Sequence, residues 1–299
     1  MWGVSTILFF GMRSLPGGPV EAMLGAQATE AAVESMRSSM GLDRPVMVQY
    51  VDFITDLLVL DFGTSFVNNT DINAVLMNTV PRTASIAFIA LLVGPLIAIP
   101  AGVVSATRRG TVADHIATLA AFFGISVPSF LFGIFFILLF SVQLGVFPTY
   151  GYTPLSESPT DWFLSILLPG IATGLPYSAV TMRMLRSSLL EVKNQPYMTT
   201  ARAKGLNPRV QLLKHAMQNA LIPVVTVFGI LVGSIFVSTV AVEIVFGING
   251  VGRVLINSIL DRDYQTTQAI IILVAGFMSL VILAMDIVYA QIDPRIEYN

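Results

Sequence analysis

The stretch that decides the fold is Thr83 to Ser105, TASIAFIALLVGPLIAIPAGVVS, 23 residues without a single charge. A helix needs roughly 20 mostly apolar residues to cross the hydrocarbon core of a bilayer. Three further segments meet that condition, His115 to Leu144, Leu221 to Val242 and Ala269 to Tyr289. The second is long for one span, and Ser126-Val127-Pro128-Ser129 within it predicts a kink. A fifth, Trp162 to Met184, is apolar but punctuated by Pro169, Gly170, Gly174 and Pro176. Such breaks are tolerated where the backbone faces protein or a water-filled path instead of lipid.

Composition agrees. Of 299 residues 55% are hydrophobic and 11% charged, with a mean hydropathy of +0.77. A soluble domain carries about a quarter charged residues, because its exterior faces water. The absence of cysteine excludes disulfides, thiolate catalysis and Cys-based metal sites. The net charge of −2 says little, since the charges are unevenly placed.

Upstream, Met1 to Met12 is apolar, and Arg13 followed by Pro16-Gly17-Gly18-Pro19 stops the run. A dozen helical residues rise about 18 Å, short of a core of about 30 Å. Neither a basic n-region nor a small-residue cleavage site marks a signal peptide. The expectation is therefore a first span (residues 1–15) that the chain enters partway, with a natural start upstream.

Basic residues in short loops set orientation. Arg108 and Arg109 lie in the loop ending at Asp114, and Arg183, Arg186, Lys193, Arg202, Lys204, Arg209 and Lys214 lie between Arg183 and Asn219. The facing loop Gly145 to Asp161 has no basic residue, and Glu243 to Gln268 has Arg253 and Arg262. If the later spans alternate, both basic loops and the C-terminal tail with Arg295 are cytoplasmic. Residues 16–82, rich in acids from Glu21 to Asp71, then form an extracytoplasmic insert. Thr29 caps a helix ending near Met40 and Gly41, and Val48, Val51, Phe53, Ile54, Leu57 and Leu58 predict a second, amphipathic helix. These elements make a small helical cap at the outer mouth, and residues 83–299 make a five-span core whose cytoplasmic loop runs over 185–220.

That loop carries the most information: EVKNQPYMTTARAKGLNPRVQLLKHAMQNALIP, Glu191 to Pro223. Asn194 or Gln195 can cap a helix with Pro196 in its first turn, and Gly205 ends it. Asn207-Pro208 starts a second helix that feeds the span from Leu221. A lone helix of about nine residues is marginal in water, so it packs on something. Its small residues allow a partner to approach closely. The plainer alternative is a solvated loop whose arginines follow the positive-inside rule or touch anionic lipid.

TTARAKG followed by KHAMQNALIP resembles the EAA-type loop of permease subunits in binding-protein-dependent ABC importers, most closely the dipeptide, oligopeptide and nickel branch. Thr199 stands where the general motif has Glu, while Ala201 and Gly205 match. LPGGPVEAML (Leu15 to Leu24), MGLDRPVMVQY (Met40 to Tyr50), DFGTSF (Asp61 to Phe66), GISVPSFLFGI (Gly124 to Ile134), GVFPTYGY (Gly145 to Tyr152) and VYAQIDPR (Val288 to Arg295) extend the resemblance over nearly the whole chain. In EIVFGINGVGRVLINSILDRDYQ, Asn249 and Gln265 depart from prolines expected there.

The resemblance implies an all-α integral membrane protein of about six transmembrane helices, the first truncated, with a helical extracytoplasmic insert and a cytoplasmic coupling helix. That helix would comprise Thr199, Thr200, Ala201, Arg202, Ala203, Lys204 and Gly205, seated on a partner ATPase. The partners implied are a second permease subunit, two cytoplasmic ATPase subunits using ATP and Mg, and an extracytoplasmic solute-binding protein. The cargo implied is a peptide or a similar small solute such as a nickel chelate, a glutathione-like molecule or an oligosaccharide. The chain itself would bind no cofactor, and nothing points to a nucleic acid.

The remaining candidates are few. No Gly-Lys pair exists, so the G-x-x-x-x-G-K-[ST] phosphate loop is missing and this chain does not hydrolyse ATP. His115 and His215 are the only histidines, too few at the wrong spacing for a metal cluster. Asp286 in the last span reads as a polar path or, near Asp293, as a group reaching water. Gly229 and Gly233 form a G-x-x-x-G step that serves packing within the subunit or against a second permease. Ser126, Ser129, Ser178 and Thr181 line a polar path or bond back to their own helices. A stand-alone secondary transporter would show inverted repeats or paired intramembrane charges, and a membrane enzyme a nucleophile, acid–base pair or metal set. The sequence shows neither.

Overall fold

The computed structural model describes residues 2–14, 20, 24, 29–65 and 67–292. The Pro16-Gly17-Gly18-Pro19 turn, Glu21, Asp293, Arg295 and the side chain of Asp286 lie outside the described residues, as does most of LPGGPVEAML. Helices dominate: α1 Trp2–Arg13, α2 Glu30–Ser39, α3 Val46–Leu58, α4 Ile72–Thr107, α5 Val112–Ser126, α6 Ser129–Gln143, α7 Pro159–Val192, α8 Pro196–Ala203, α9 Pro208–Val245, α10 Val251–Leu260 and α11 Tyr264–Ile292. Among the described residues the only β pairing is one isolated bridge, Thr64 to Asp71. Among the described residues four helices are long and apolar enough to cross a membrane, and α5 with α6 makes a fifth if a bent pair counts as one span.

Two compact units emerge, Met1–Pro81 with Gly250–Ser279, and Arg82–Asn249 with Leu280–Asn299. In the first, Thr29 accepts from Ala32 N at 3.3 Å and so caps α2, and Gly41 takes φ +64° just past its end. The α3 helix lies where the apolar periodicity placed it and packs against α1. The Phe9 ring meets Tyr50 and Phe53 at 5.2 and 5.3 Å between centroids, and the Arg13 guanidinium stacks over Phe9 at 3.6 Å. Arg13 Nη2 also donates to Gln49 Oε1 at 2.6 Å. Ser65 donates to the buried Asp263 carboxylate at 2.7 Å, whose other oxygen accepts from Thr266 N and so caps α11.

In the second unit α7 is central. Of its most apolar stretch 61% is buried, against 33% for α4 and 28% for α9, so α7 is wrapped by protein where the others face outward. Ala98, Ala121, Ala179 and Met182 join α4, α5 and α7, and Ile86, Leu168, Val242, Phe246 and Ile248 join α4, α7 and α9.

One expectation needs correction, and two others gain detail. The α7 helix is not interrupted at Pro169 or Pro176 but runs unbroken through both. Gly170 and Gly174 are instead points of close approach: a methyl on Gly170 would overlap Ile89, and one on Gly174 would lie 2.9 Å from Ala90 O. Inside a membrane each backbone group must find a partner within the protein, which favours retaining the helix around a proline. The kink expected at Ser126 to Ser129 is present as a sharp bend, with α5 and α6 at 103°. Val127 is extended (φ −96°, ψ 123°), the conformation a following proline imposes on its neighbour. Finally, α4 begins at Ile72, eleven residues before Thr83.

Gly229 and Gly233 are both buried within the chain, which satisfies their packing reading without a second subunit. Ser178 and Thr181 donate to Leu175 O and Tyr177 O, back-bonds of their own helix.

Candidate functional site

The seven residues singled out from the loop fall on α8 and its C-terminal end. Gln195 is its N-cap by backbone geometry (φ −72°, ψ 147°) without a side-chain bond, and Pro196 occupies the first turn, where a missing N–H costs nothing. At the other end Gly205 adopts φ +68°. Gly205 N donates to Arg202 O at 2.9 Å and Leu206 N to Ala201 O at 3.4 Å. This pair of bonds is the Schellman arrangement, which requires a left-handed residue after the cap. Asn207 then caps the next helix by accepting from Arg209 N at 2.9 Å, with Pro208 in its first position. A π-helical turn over Gln211–Ala216 leads into the long apolar part of α9.

The short helix is anchored from within. Met198 is buried in one apolar cluster with Ala106 of α4, Leu185, Leu189 and Val192 of α7, and Ala216, Met217, Ala220 and Val224 of α9, and Ala201 is buried as well. Burial against this seat answers why so short a helix holds its shape, since most helical stability comes from tertiary packing. Two polar ties reinforce it: Lys193 Nζ donates to Ala106 O and Arg202 Nη2 to Lys193 O, each at 3.0 Å. Burial, and then the charge of Arg202, lower the pKa of the Lys193 ammonium.

Ala201 therefore faces the chain's own core, and its small side chain does not serve the approach of a partner. The other six residues, Thr199, Thr200, Arg202, Ala203, Lys204 and Gly205, are exposed, as is Tyr197. They form a small polar face with two cationic groups.

Sequence reasoning missed a cluster beside this seat. Asp114, in the first turn of α5, is 3% exposed. It receives Arg186 of α7 through Nε to Oδ1 at 2.9 Å and Nη2 to Oδ2 at 3.0 Å. Gly110 N donates to Oδ2 at 3.0 Å, and Ser105 of α4 donates to Oδ1 while accepting from Arg186 Nε. Arg186 had read as one more basic loop residue. The available signal was Asp114 itself, the one acid in the first basic loop.

A second buried acid, Glu243 of α9, is fully enclosed and accepts from Thr83 Oγ1 at 2.5 Å. Among the described residues no group of three or more His, Asp and Glu side chains could hold a metal ion.

Comparison with known proteins identifies the family. Residues 98–298 match the family of binding-protein-dependent transport system inner membrane components, and residues 1–87 match the N-terminal model of the same systems. A probable peptide ABC transporter permease of Sinorhizobium fredii is 34% identical, covering 99% of this chain and 94% of its own. An oligopeptide transport system permease of Bacillus subtilis is 35% identical, over 99% and 95%. A glutathione transport system permease of Shigella flexneri is 34% identical, over 99% and 94%. Among solved structures, the inward-facing MetNI methionine ABC transporter superposes with a TM-score of 0.59 at 17% identity, covering 73% of this chain and 96% of that one. The chain belongs to the inner membrane components of binding-protein-dependent transport systems and is a multi-pass permease subunit of an ABC importer, not its ATPase.

Proposed function

We propose that this chain is the permease of a peptide importer and that α8 is its coupling helix. In this reading Thr199, Thr200, Arg202, Ala203, Lys204 and Gly205 present the docking face to a cytoplasmic ATPase subunit, and Ala201 keys the helix into the permease. The observation that supports it is the division of α8 itself: Met198 is locked into a cluster shared by α4, α7 and α9 and Ala201 is buried, while Thr199, Thr200, Arg202, Ala203 and Lys204 are exposed. A push on such a helix reaches three long helices at once, because close-packed interiors transmit displacement.

The domain plan follows: a partial first span over residues 1–15, an extracytoplasmic insert over 16–82, and the permease core over 83–299 with its coupling loop at 185–220. The loop and the C-terminus lie on the cytoplasmic side of the cell membrane, as the basic loops require. A second, similar permease completes the pathway, and two ATPase subunits use ATP and Mg outside this chain. An extracytoplasmic binding protein delivers the solute. Peptides are the cargo because relatives at 34–35% identity carry peptide and oligopeptide names. Glutathione, a tripeptide-like solute, is the second reading, favoured by the 34% identical glutathione permease.

Reconstitution with the cognate ATPases and binding protein in proteoliposomes tests this function. ATP-dependent accumulation of labelled di- to pentapeptides is expected. Accumulation driven by a proton gradient without ATP contradicts it.

A further inference from the structure

The apolar seat of α8 and the Asp114 cluster share the same helices at adjacent positions. Ala106 lies in the seat and Ser105 in the cluster; Leu185 lies in the seat and Arg186 in the cluster. The covalent chain joins α8 to α7 through Lys193 to Gln195 and to α9 through Lys204 to Asn207. No residue of α5 enters the seat. At this end of α5 Asp114 ties the helix to Arg186 of α7, to Ser105 of α4 and to the turn at Gly110, and also accepts from Thr118 of its own helix.

Here we infer that Asp114 and Arg186 are positioning residues for transport: their bidentate pair makes α5 follow α8 when α8 is displaced. This rests on the reading of α8 as the coupling helix. Two parallel charge-assisted hydrogen bonds fix direction as well as distance, which a single contact or an apolar patch does not. Asp114 is enclosed, with 5% of its side chain exposed, so water competes poorly for those bonds. Lower down, α5 and α7 meet through the buried Ala121, Ala179 and Met182 and through the Arg183 guanidinium over the Phe122 ring at 4.9 Å, contacts that hold distance with less control of direction than a two-point fork. The ion pair supplies the fixed point. Without it α8 still carries α4, α7 and α9, and α5 lags.

The test uses the complete importer in nanodiscs and proteoliposomes, with Asp114→Asn, Arg186→Lys and the double variant Asp114→Asn/Arg186→Gln. The chain has no native cysteine, so spin labels can be placed at Val112→Cys on α5 and Asn194→Cys beside α8, both exposed positions. With the native pair, the inter-label distance is expected to stay narrow in the nucleotide-free and ATP-trapped states. In Asp114→Asn it should broaden on trapping, and solute moved per ATP should fall at least tenfold in complexes that still assemble and hydrolyse ATP. Arg186→Lys keeps an ion pair but not the fork, so it should fold and lose about threefold. Unchanged transport per ATP in Arg186→Lys and in either Asn variant overturns the proposal. So does a decline of uptake and hydrolysis in step with the yield of complex, which marks a merely structural pair. A control separates this from the reading beneath it: Lys204→Glu should detach the ATPase. If it does not, the assignment of α8 fails; if it does while the Asp114 and Arg186 variants couple normally, only the joint fails.

Discussion

Arg186 of α7 grips Asp114 of α5 through two nearly parallel hydrogen bonds of 2.9 and 3.0 Å. Asp114 is almost wholly enclosed, and 29% of the Arg186 side chain is exposed. Removing Asp114 leaves the partly exposed Arg186 guanidinium without its two-point partner, which disfavours the folded state. Asp114→Ala should therefore lower the unfolding midpoint of the purified permease substantially. Asp114→Ala/Arg186→Met should recover most of the loss, because the orphaned charge is gone. A double mutant no more stable than Asp114→Ala contradicts this reading.

Ala201 and Thr199 sit two positions apart on α8 and face opposite ways, Ala201 buried and Thr199 exposed. Ala201→Leu should destabilise the permease by about 1–3 kcal/mol through overpacking of the seat. Thr199→Leu should leave stability within about 0.5 kcal/mol while weakening ATPase attachment. Thermal unfolding and co-purification, measured on both variants, separate the two effects. Equal stability loss in both would contradict the orientation of the helix.

Gly170 is a packing requirement of α7. A Cβ there overlaps Ile89 of α4, with Ile86 O at 3.3 Å on the other side. Gly170→Ala should cut the yield of folded protein, at a cost of about 1–3 kcal/mol. Gly170→Ala/Ile89→Ala should restore part of it by vacating the space. Gly170→Ala with unchanged thermal stability would contradict the close approach of α4 and α7.

Glu243 and Thr83 join α9 to α4 inside the apolar part of the second unit. Glu243→Leu removes that acceptor from the enclosed Thr83 hydroxyl and should destabilise the permease. Glu243→Gln keeps an acceptor and should cost less. Stability measured in detergent should rank wild type, Gln, then Leu. The reverse order for the two variants would sink this role.

Much of this architecture was legible because lipid imposes a simple rule on sequence. An uncharged run such as Thr83 to Ser105 has few alternatives to a crossing helix. Punctuation was equally readable on α8, where Pro196, Gly205 and Asn207-Pro208 each marked a boundary that the backbone honours. Hydropathy could not find the start of α4 at Ile72, because it registers where lipid ends and not where helical hydrogen bonding ends. Pro169 and Pro176 misled for a related reason: proline predicts a lost hydrogen bond, not whether neighbouring helices hold the axis straight. The Asp114–Arg186 pair was invisible because its members are 72 positions apart. No local spacing encodes such a meeting. Which face of α8 turns inward was hidden too, since Ala201 and Ala203 are the same residue and differ only in what lies beneath them.

The most direct test of the account is site-specific cross-linking from α8 to the ATPase subunit in the assembled importer. Single cysteines can be placed at Thr199, Ala203 and Lys204, and at Ala201 and Arg253 as controls, in a chain with no native thiol. Short bifunctional reagents should join the first three to the ATPase and the controls not at all, with yields changing on ATP trapping. An importer that transports with full efficiency while none of the three α8 positions cross-links to its ATPase would contradict the central claim.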